Sequence, residues 1–432
     1  MANTFRAKVR MYRHGLGDCF LVTLPRQDGS NYFIMIDCGV VLGTSDANTR
    51  MVAVVADIVA TTGGHVDLLA VTHGHWDHIS GFIQAADAFK GLSFGQVWLA
   101  WTEDPTDALA KALGQERDQA LKGLRLSANH LRLAGDDDRA EMIGSLLEFF
   151  GATGGASTSD ALEAIRQKVP TPRYCHPLDP PVELTDPAAR LYVLGPPHDE
   201  TQIRMALPTA RNPGTSTYTM ALDVFLNDVA SALGNVAPDA PFGNQFRIPM
   251  AAARAMDFFN RRYWSTDTWR QIDGAWLEGS PQLALQLDSA TNNTSLVLAI
   301  ELVNGDVLLF AADAQVGNWI SWQDLKWTVD GRGVTGPDLL RRTIVYKVGH
   351  HGSFNATLRE KGLEMMDSLQ TALVPVDHDM AVKKKWDKIP LPSLIDALAA
   401  KTNGAVIRAD QPAPPGLAQQ LVDNKLYFEL TV

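Results

Sequence analysis

The chain has 432 residues, 46% of them apolar and 20% charged, enough to bury one large core or two ordinary ones. A formal charge of −11 sets aside a protein that coats nucleic acid by bulk electrostatics, although a local basic groove is compatible with it. The three cysteines, Cys19, Cys38 and Cys175, suggest no disulfide framework and read as reduced core residues. The N-terminus lacks the apolar core of a signal peptide and no run is long enough to span a bilayer, so the expectation is a cytoplasmic protein without a membrane partner.

Residues 5 to 40 read as consecutive strands. Lys8–Tyr12 alternates, Gly15-Leu16-Gly17-Asp18 turns, and Cys19–Leu24 is apolar. A hairpin turn at Gln27–Ser30 then leads into Tyr32–Gly39. Asp18 and Asp37 stand at strand edges beside glycines, where turn chemistry and a role in orienting metal-binding histidines are both open. Residues 46 to 62 have helical spacing, with Met51, Val54, Val55 and Ile58 on one face.

The apolar run Val66–Val71 ends in His73-Gly74-His75-Trp76-Asp77-His78, three imidazoles and a carboxylate within six residues. His73 and His75 alternate and can grip one ion from one side. Asp77 and His78 follow where the backbone turns into a helix and can face a second ion. Mixed nitrogen and oxygen ligands suit zinc first, with manganese or iron as alternatives. A helix over Phe82–Phe89 is expected next, and then a strand over Gln96–Trp101.

From 104 to 170 Ala, Leu, Glu, Asp and Arg dominate at helical spacing, and 104–189 reads as a helical insertion. Arg190–Gly195 returns to strand character and turns at Gly195-Pro196-Pro197-His198. A second insertion, 199–288, holds helical patterns at Thr219–Leu233 and Met250–Arg262 and an aromatic group of Tyr263, Trp264, Trp269 and Trp276. Strands resume at Leu296–Ile300 and Val307–Ala312. Asp313, at the end of that wholly apolar strand, is expensive to bury unless paired or bound to metal. Ile344–Val348 leads into Gly349-His350-His351-Gly352-Ser353, and Lys425–Val432 reads as a final strand. Lys383-Lys384-Lys385 is a basic run, read as solvated with a phosphate contact as the alternative.

The ordered H-x-H-x-D-H pattern after an apolar strand resembles the signature of the metallo-β-lactamase superfamily. Gly15-Leu16-Gly17-Asp18-Cys19, Ile36-Asp37-Cys38-Gly39 and His350-His351-Gly352-Ser353 are similar to one branch of it, which contains the hydrolase domain of DNA-uptake competence proteins and a choline-phosphate esterase. The resemblance covers roughly 5–103, 190–198 and 290–432. It implies an α/β fold, the αββα metallo-β-lactamase sandwich, as a single domain interrupted by the two helical insertions.

The resemblance also implies a ligand set. His73, His75 and His198 would hold one divalent ion, and Asp77, His78 and His351 the other, with Asp313 between them. The turn at His198 departs from the pattern in lacking the usual glycine before the histidine, and Ala312 stands where a glycine usually precedes Asp313. His350 and Asp77 are the expected catalytic residues, and which of His350 and His351 binds metal stays open, with His351 preferred. The implied activity is hydrolysis of a phosphate-containing substrate by a two-metal-activated water, with nucleic acid among the candidate substrates. Carboxylic esters, lactones or lactams are the alternative substrates. A metal-stabilised effector subunit, meeting a protein partner through the insertions, is the alternative outside enzymes.

Overall fold

Alternation of side chains along the strands builds the layers. Tyr32, Ile34 and Ile36 enter one buried cluster, whereas Phe33 and Met35 enter another. Leu68 and Ala70 separate in the same way from Leu69 and Val71, as do Trp98 and Ala100 from Val97 and Leu99. Strands buried on both faces read as continuous apolar runs and must lie inside a layered structure.

The computed structural model describes residues 5–133, 135–151, 155–205, 248, 250–264, 280–417 and 419–432. The strands in chain order are β1 (Lys8–Tyr12), β2 (Phe20–Pro25), β3 (Asn31–Ile36), β4 (His65–Val71), β5 (Ser93–Ala100), β6 (Arg173–Cys175), β7 (Val182–Leu184) and β8 (Ala189–Gly195). They continue as β9 (Val297–Leu302), β10 (Val307–Phe310), β11 (Lys326–Val329), β12 (Arg332–Thr335), β13 (Thr343–Lys347), β14 (Thr371–Val374), β15 (Val406–Arg408), β16 (Leu421–Asp423) and β17 (Tyr427–Thr431). Two mixed sheets result, an eight-stranded one in the order β16-β17-β1-β2-β3-β4-β5-β6 and a seven-stranded one in the order β15-β14-β13-β10-β9-β8-β7. A small ribbon of β11 and β12 stands apart from them.

The chain is therefore α/β. Its main core draws Phe20, Val22, Ile34, Leu68 and Trp98 from the first sheet and Leu191, Leu298, Ile300, Leu308 and Phe310 from the second. The rings of Phe20 and Phe310 meet edge to face across it at 5.7 Å. The other face of the first sheet is covered by the helix Ala47–Thr62, which buries Met51, Val54, Val55 and Ile58 as their spacing predicts. Gly63 closes that helix in the left-handed conformation (φ 64°), and its N–H donates to the Val59 carbonyl.

Two expectations come out differently. The helix expected over Phe82–Phe89 is broken into Gly81–Gln84 and a 3-10 turn, Ala88–Gly91. This lets Phe82 and Phe89 stack at 4.6 Å in the core. The segment 104–189 is helical over Ala108–Leu133, Asp137–Leu147 and Thr158–Arg166, yet it also supplies the edge strands β6 and β7.

The chain divides into two compact units. One comprises Met1–Gly114, Glu148–Arg211 and Asp288–Val432 and carries both sheets. The other, Gln115–Leu147 with Asn212–Leu287, is helical where described. Of the second insertion, the expected helix at 250–262 forms as Met250–Ala255 and Asp257–Phe259, followed by a π turn to Trp264. The pattern at 219–233 and the residues Trp269 and Trp276 lie outside the described residues. Among the described residues no helix is long and apolar enough to cross a membrane. All three cysteines are free and buried.

Parallel neighbours bring their carboxyl ends to one edge, where open α/β sheets place their ligands. β3 and β4 do so in the first sheet, and β10 and β13 in the second. The loops after these four strands carry Asp37, His73 to His78, Asp313 and His350-His351.

Candidate metal centre

The loop after β4 is locked from behind by backbone. Asp18 N–H donates to the Asp77 carbonyl (3.0 Å), Cys38 N–H to the His78 carbonyl (2.8 Å), and Gly81 N–H to the Cys38 carbonyl (2.9 Å). Three chain segments cross so closely that a Cβ on Gly39 would lie 2.5–2.6 Å from the backbone of Asp77 and His78. The Gly-x-Gly-Asp and Asp-Cys-Gly motifs thus shape the back of the site.

Three imidazoles are aimed by what holds their other nitrogen, the usual arrangement behind a metal-binding histidine. His78 donates from Nδ1 to Asp37 (2.8 Å), which leaves Nε2 free at 3.1 Å from Asp313 Oδ2 and 3.7 Å from Asp77 Oδ2. His351 donates from Nδ1 to the Pro375 carbonyl (2.6 Å), and its Nε2 lies 3.0 Å from Asp77 Oδ2. Thr72 gives its hydroxyl proton to Asp37 (2.7 Å) and so accepts from His73 Nδ1 at 3.1 Å, leaving His73 Nε2 as a lone pair. That lone pair faces His75 Nδ1 at 3.1 Å.

Asp77, His78, Asp313 and His351 each offer a ligand atom within 4.8 Å of the other three, and all are buried. Asp77 Oδ1, His78 Nε2 and Asp313 Oδ2 have no hydrogen-bond partner, nor do His75 Nε2, Asp288 Oδ1 and His350 Nδ1. Buried polar atoms are rarely left so, and this many converging in one place suits a bound cation. The residues fit a divalent metal with mixed N/O ligands.

The electrostatics agree. Burial lowers His75 to a pKa of about 3 and His73 well below the ordinary histidine value, so both present neutral rings. Burial alone would lower His78 as well, but Asp313, Asp77, Asp18 and Asp37 outweigh it and raise it well above that value. The carboxylates thus draw positive charge to the point where His78 Nε2 and Asp313 meet. Strain gathers there too, since Asp37 (φ 55°), Ala312 (φ 49°), His350 (φ 42°) and His351 (φ 54°) all adopt left-handed backbone without being glycine. Ala312 thus occupies a conformation that explains why glycine suits this position.

The structure brings together six of the seven expected metal ligands. His73, His75, Asp77, His78, Asp313 and His351 converge, and His350 adjoins them with Nε2 at 3.9 Å from Asp313. His198 is the correction. Its side chain is 46% exposed, bound to Asp107 at 3.1 Å and packed on Trp101 at 4.2 Å. The turn that carries it is held by Trp101 Nε1, which donates to the Pro196 carbonyl (2.9 Å), and has Pro197 rather than glycine before the histidine. Within the basic run, Lys384 pairs with Glu148.

Two participants escaped the sequence reading. Lys347, at the end of β13, is fully buried with Nζ 2.6 Å from Asp18, 2.8 Å from the Ala312 carbonyl and 3.3 Å from Asp313 Oδ1. Its signal was a lysine inside an otherwise apolar strand, a residue almost never buried without a partner. Asp288 lies 3.8 Å from His75 Nε2. Its signal was its place on the buried stripe of the helix Ser280–Asn292, which includes Leu283, Ala284 and Leu287.

Comparison of the chain with protein-family models, with curated proteins and with solved structures returns no match. What the residues define by themselves is an α/β chain with a buried His/Asp cluster able to hold a metal ion.

Proposed function

We propose that the chain is a binuclear metal-dependent hydrolase of the metallo-β-lactamase type, with the αββα sandwich of that superfamily, acting on phosphodiester bonds. The observation that carries this reading is the convergence of unpartnered buried atoms from Asp77, His78 and Asp313 with His351 at the carboxyl ends of three strands. Two sheets sharing one core, with the helix Ala47–Thr62 outside, support the fold. The branch resemblance in Gly15 to Cys19 and His350 to Ser353 supports the substrate class.

Two groups of ligands support two ions, His73 with His75 and Asp77, His78, Asp313 with His351. Five carboxylates, Asp18, Asp37, Asp77, Asp288 and Asp313, are buried around the site with one buried lysine, Lys347. Lys347 offsets part of that negative charge, and bound divalent ions would offset more of it. Zinc, manganese or iron suits the donor set. Bound divalent ions supply Lewis-acid activation of water and neutralise charge developing on the attacking and leaving oxygens.

The chain's own residues divide the remaining work. Asp77, His78, Asp313 and His351 form one ligand set, and His73 with His75 the other. Lys347 occupies Asp313 Oδ1, so that Oδ2 alone faces the histidines. His350 is the most exposed histidine of the cluster and keeps Nδ1 unpartnered, so it is placed to hold or deliver a proton at a substrate oxygen. Phe149 and Phe150 lie 5.3 and 4.9 Å from His75, and Phe149 stacks on Trp386, so aromatic side chains exclude water on that side.

With zinc or manganese supplied, the protein is expected to hydrolyse bis-nitrophenyl phosphate well above nitrophenyl acetate. The His350→Ala variant should retain metal but lose about 10²–10⁴ of the rate. Faster cleavage of the acetate would move the substrate to carboxylic esters, and no turnover of either with metal bound would leave the effector reading.

A further inference from the structure

His350 and His351 are consecutive, yet their rings lie 5.8 Å apart and are inclined at 59°. His351 Nε2 reaches Asp77, whereas His350 keeps Nδ1 unpartnered. The divergence comes from the backbone, since both residues adopt left-handed φ, 42° and 54°, and neither is glycine. A Cβ disfavours that conformation, so it persists only where the surrounding structure fixes it.

The residues that follow, Ser353 to Thr357, supply the hold. Burial of a large apolar side chain does not anchor them, because Phe354 is 63% exposed. Polar contacts do. Ser353 Oγ donates to Asn355 Oδ1 (3.1 Å), and Asn355 Nδ2 donates to Gln315 Oε1 (2.8 Å), with all three side chains buried. The Trp319 indole N–H is shared between the carbonyls of Ala314 and Ala356, both at 3.0 Å. Thr357 Oγ1 lies 2.8 Å from the Tyr346 hydroxyl, which accepts from Gly349 N–H at 3.1 Å. The loop is thereby drawn over Gly349, where a Cβ would fall 2.1 Å from the Ala356 carbonyl oxygen.

Gln315 stands just beyond Asp313 and Asn355 just beyond His351, so their bond joins the two loops that bring Asp313 and His351 together. We infer that Asn355 is a positioning residue for the metal centre, which through Gln315 ties the loop after β13 to the loop after β10 and so aims His351 at the ion it shares with Asp313. This inference rests on the metal-centre reading. A backbone bond from His350 N–H to the Ala312 carbonyl (3.1 Å) joins the same loops ahead of His351. The Asn355 bond joins them behind it. His351 is thus bracketed, and its left-handed turn is kept between two fixed points.

The test uses the full-length protein with ¹³C,¹⁵N-labelled histidine, in which His350-His351 is the one His-His step and so identifies itself. Asn355→Ala and Gln315→Met remove the same bond from either end, so one serves if the other fails to fold. Ser127→Ala is the control, because it removes a buried hydrogen bond (3.0 Å to the Gly123 carbonyl) within the helix Ala108–Leu133. In metal-free wild type the Cα and Cβ shifts of both histidines should report left-handed backbone. Both loop variants should move the His351 shifts toward ordinary backbone and weaken zinc at the site of Asp77, His78, Asp313 and His351 about 10–100-fold. Ser127→Ala should leave the shifts and the affinity where they were. Ordinary backbone at His351 in the wild type would overturn the assignment, as would His351 shifts or zinc affinity unmoved in both loop variants. A wild type that binds no zinc, with the shifts moving as expected, would instead overturn the metal-centre reading and leave Asn355 as the holder of the turn.

Discussion

Asp313→Ala is expected to strip the protein of metal and reduce hydrolysis by roughly 10³-fold while leaving the metal-free chain folded. Oδ2 of this carboxylate lies 3.1 Å from His78 Nε2 and 3.9 Å from both His350 and His351 Nε2, so it is the meeting point of three imidazoles from two loops. Losing several kcal/mol of charge stabilisation corresponds to about that factor in rate. The fold survives because Lys347 retains Asp18 at 2.6 Å and the Ala312 carbonyl at 2.8 Å. Removing one of several crowded carboxylates also relieves repulsion in the metal-free protein. Metal analysis, initial rates and a thermal melt with chelator check the three parts. A variant that keeps its metal and rate would remove Asp313 from the centre.

Lys347→Met should do the reverse, damaging the fold more than the chemistry. The substitution keeps the length of the stem but leaves Asp18 and Asp313 buried without their shared cation. Breaking a buried ion pair by removing one partner typically costs about 3–5 kcal/mol. Denaturant unfolding in chelator should show a loss of that size. Saturating zinc should return part of it, because a ligand that binds only the folded state stabilises it by mass action, by about 4 kcal/mol at 1,000 times Kd. A loss below about 1 kcal/mol would mean that the lysine is not the cation that holds these carboxylates.

The parts of the site that are contiguous in sequence were legible there. His73 to His78 sit on one loop after β4, and their spacing alone announces two pairs of ligands. Asp313 and His351 were legible because each follows an apolar strand, where a polar residue must be satisfied. The order of β1 to β5 could also be read, since turn residues punctuate apolar runs. Position in three dimensions was not legible. His198 follows a strand as the others do, but the Trp101 contact to the Pro196 carbonyl carries it to Asp107. Asp288 comes from a segment outside the resemblance, where only its burial on an otherwise apolar helix stripe set it apart. Lys347 could be found by asking what a lysine does in the middle of Ile344–Val348, a question of energetics rather than of motif. β6 and β7 were missed because three-residue edge strands carry too short a pattern to stand out within a helical region.

Metal content by elemental analysis, on protein purified without chelators, tests the metal centre most directly. About two zinc, manganese or iron ions per chain are expected, one for His73 with His75 and one for Asp77, His78, Asp313 and His351. A chain that takes up no ion, even after incubation with each of these metals, would contradict the hydrolase reading.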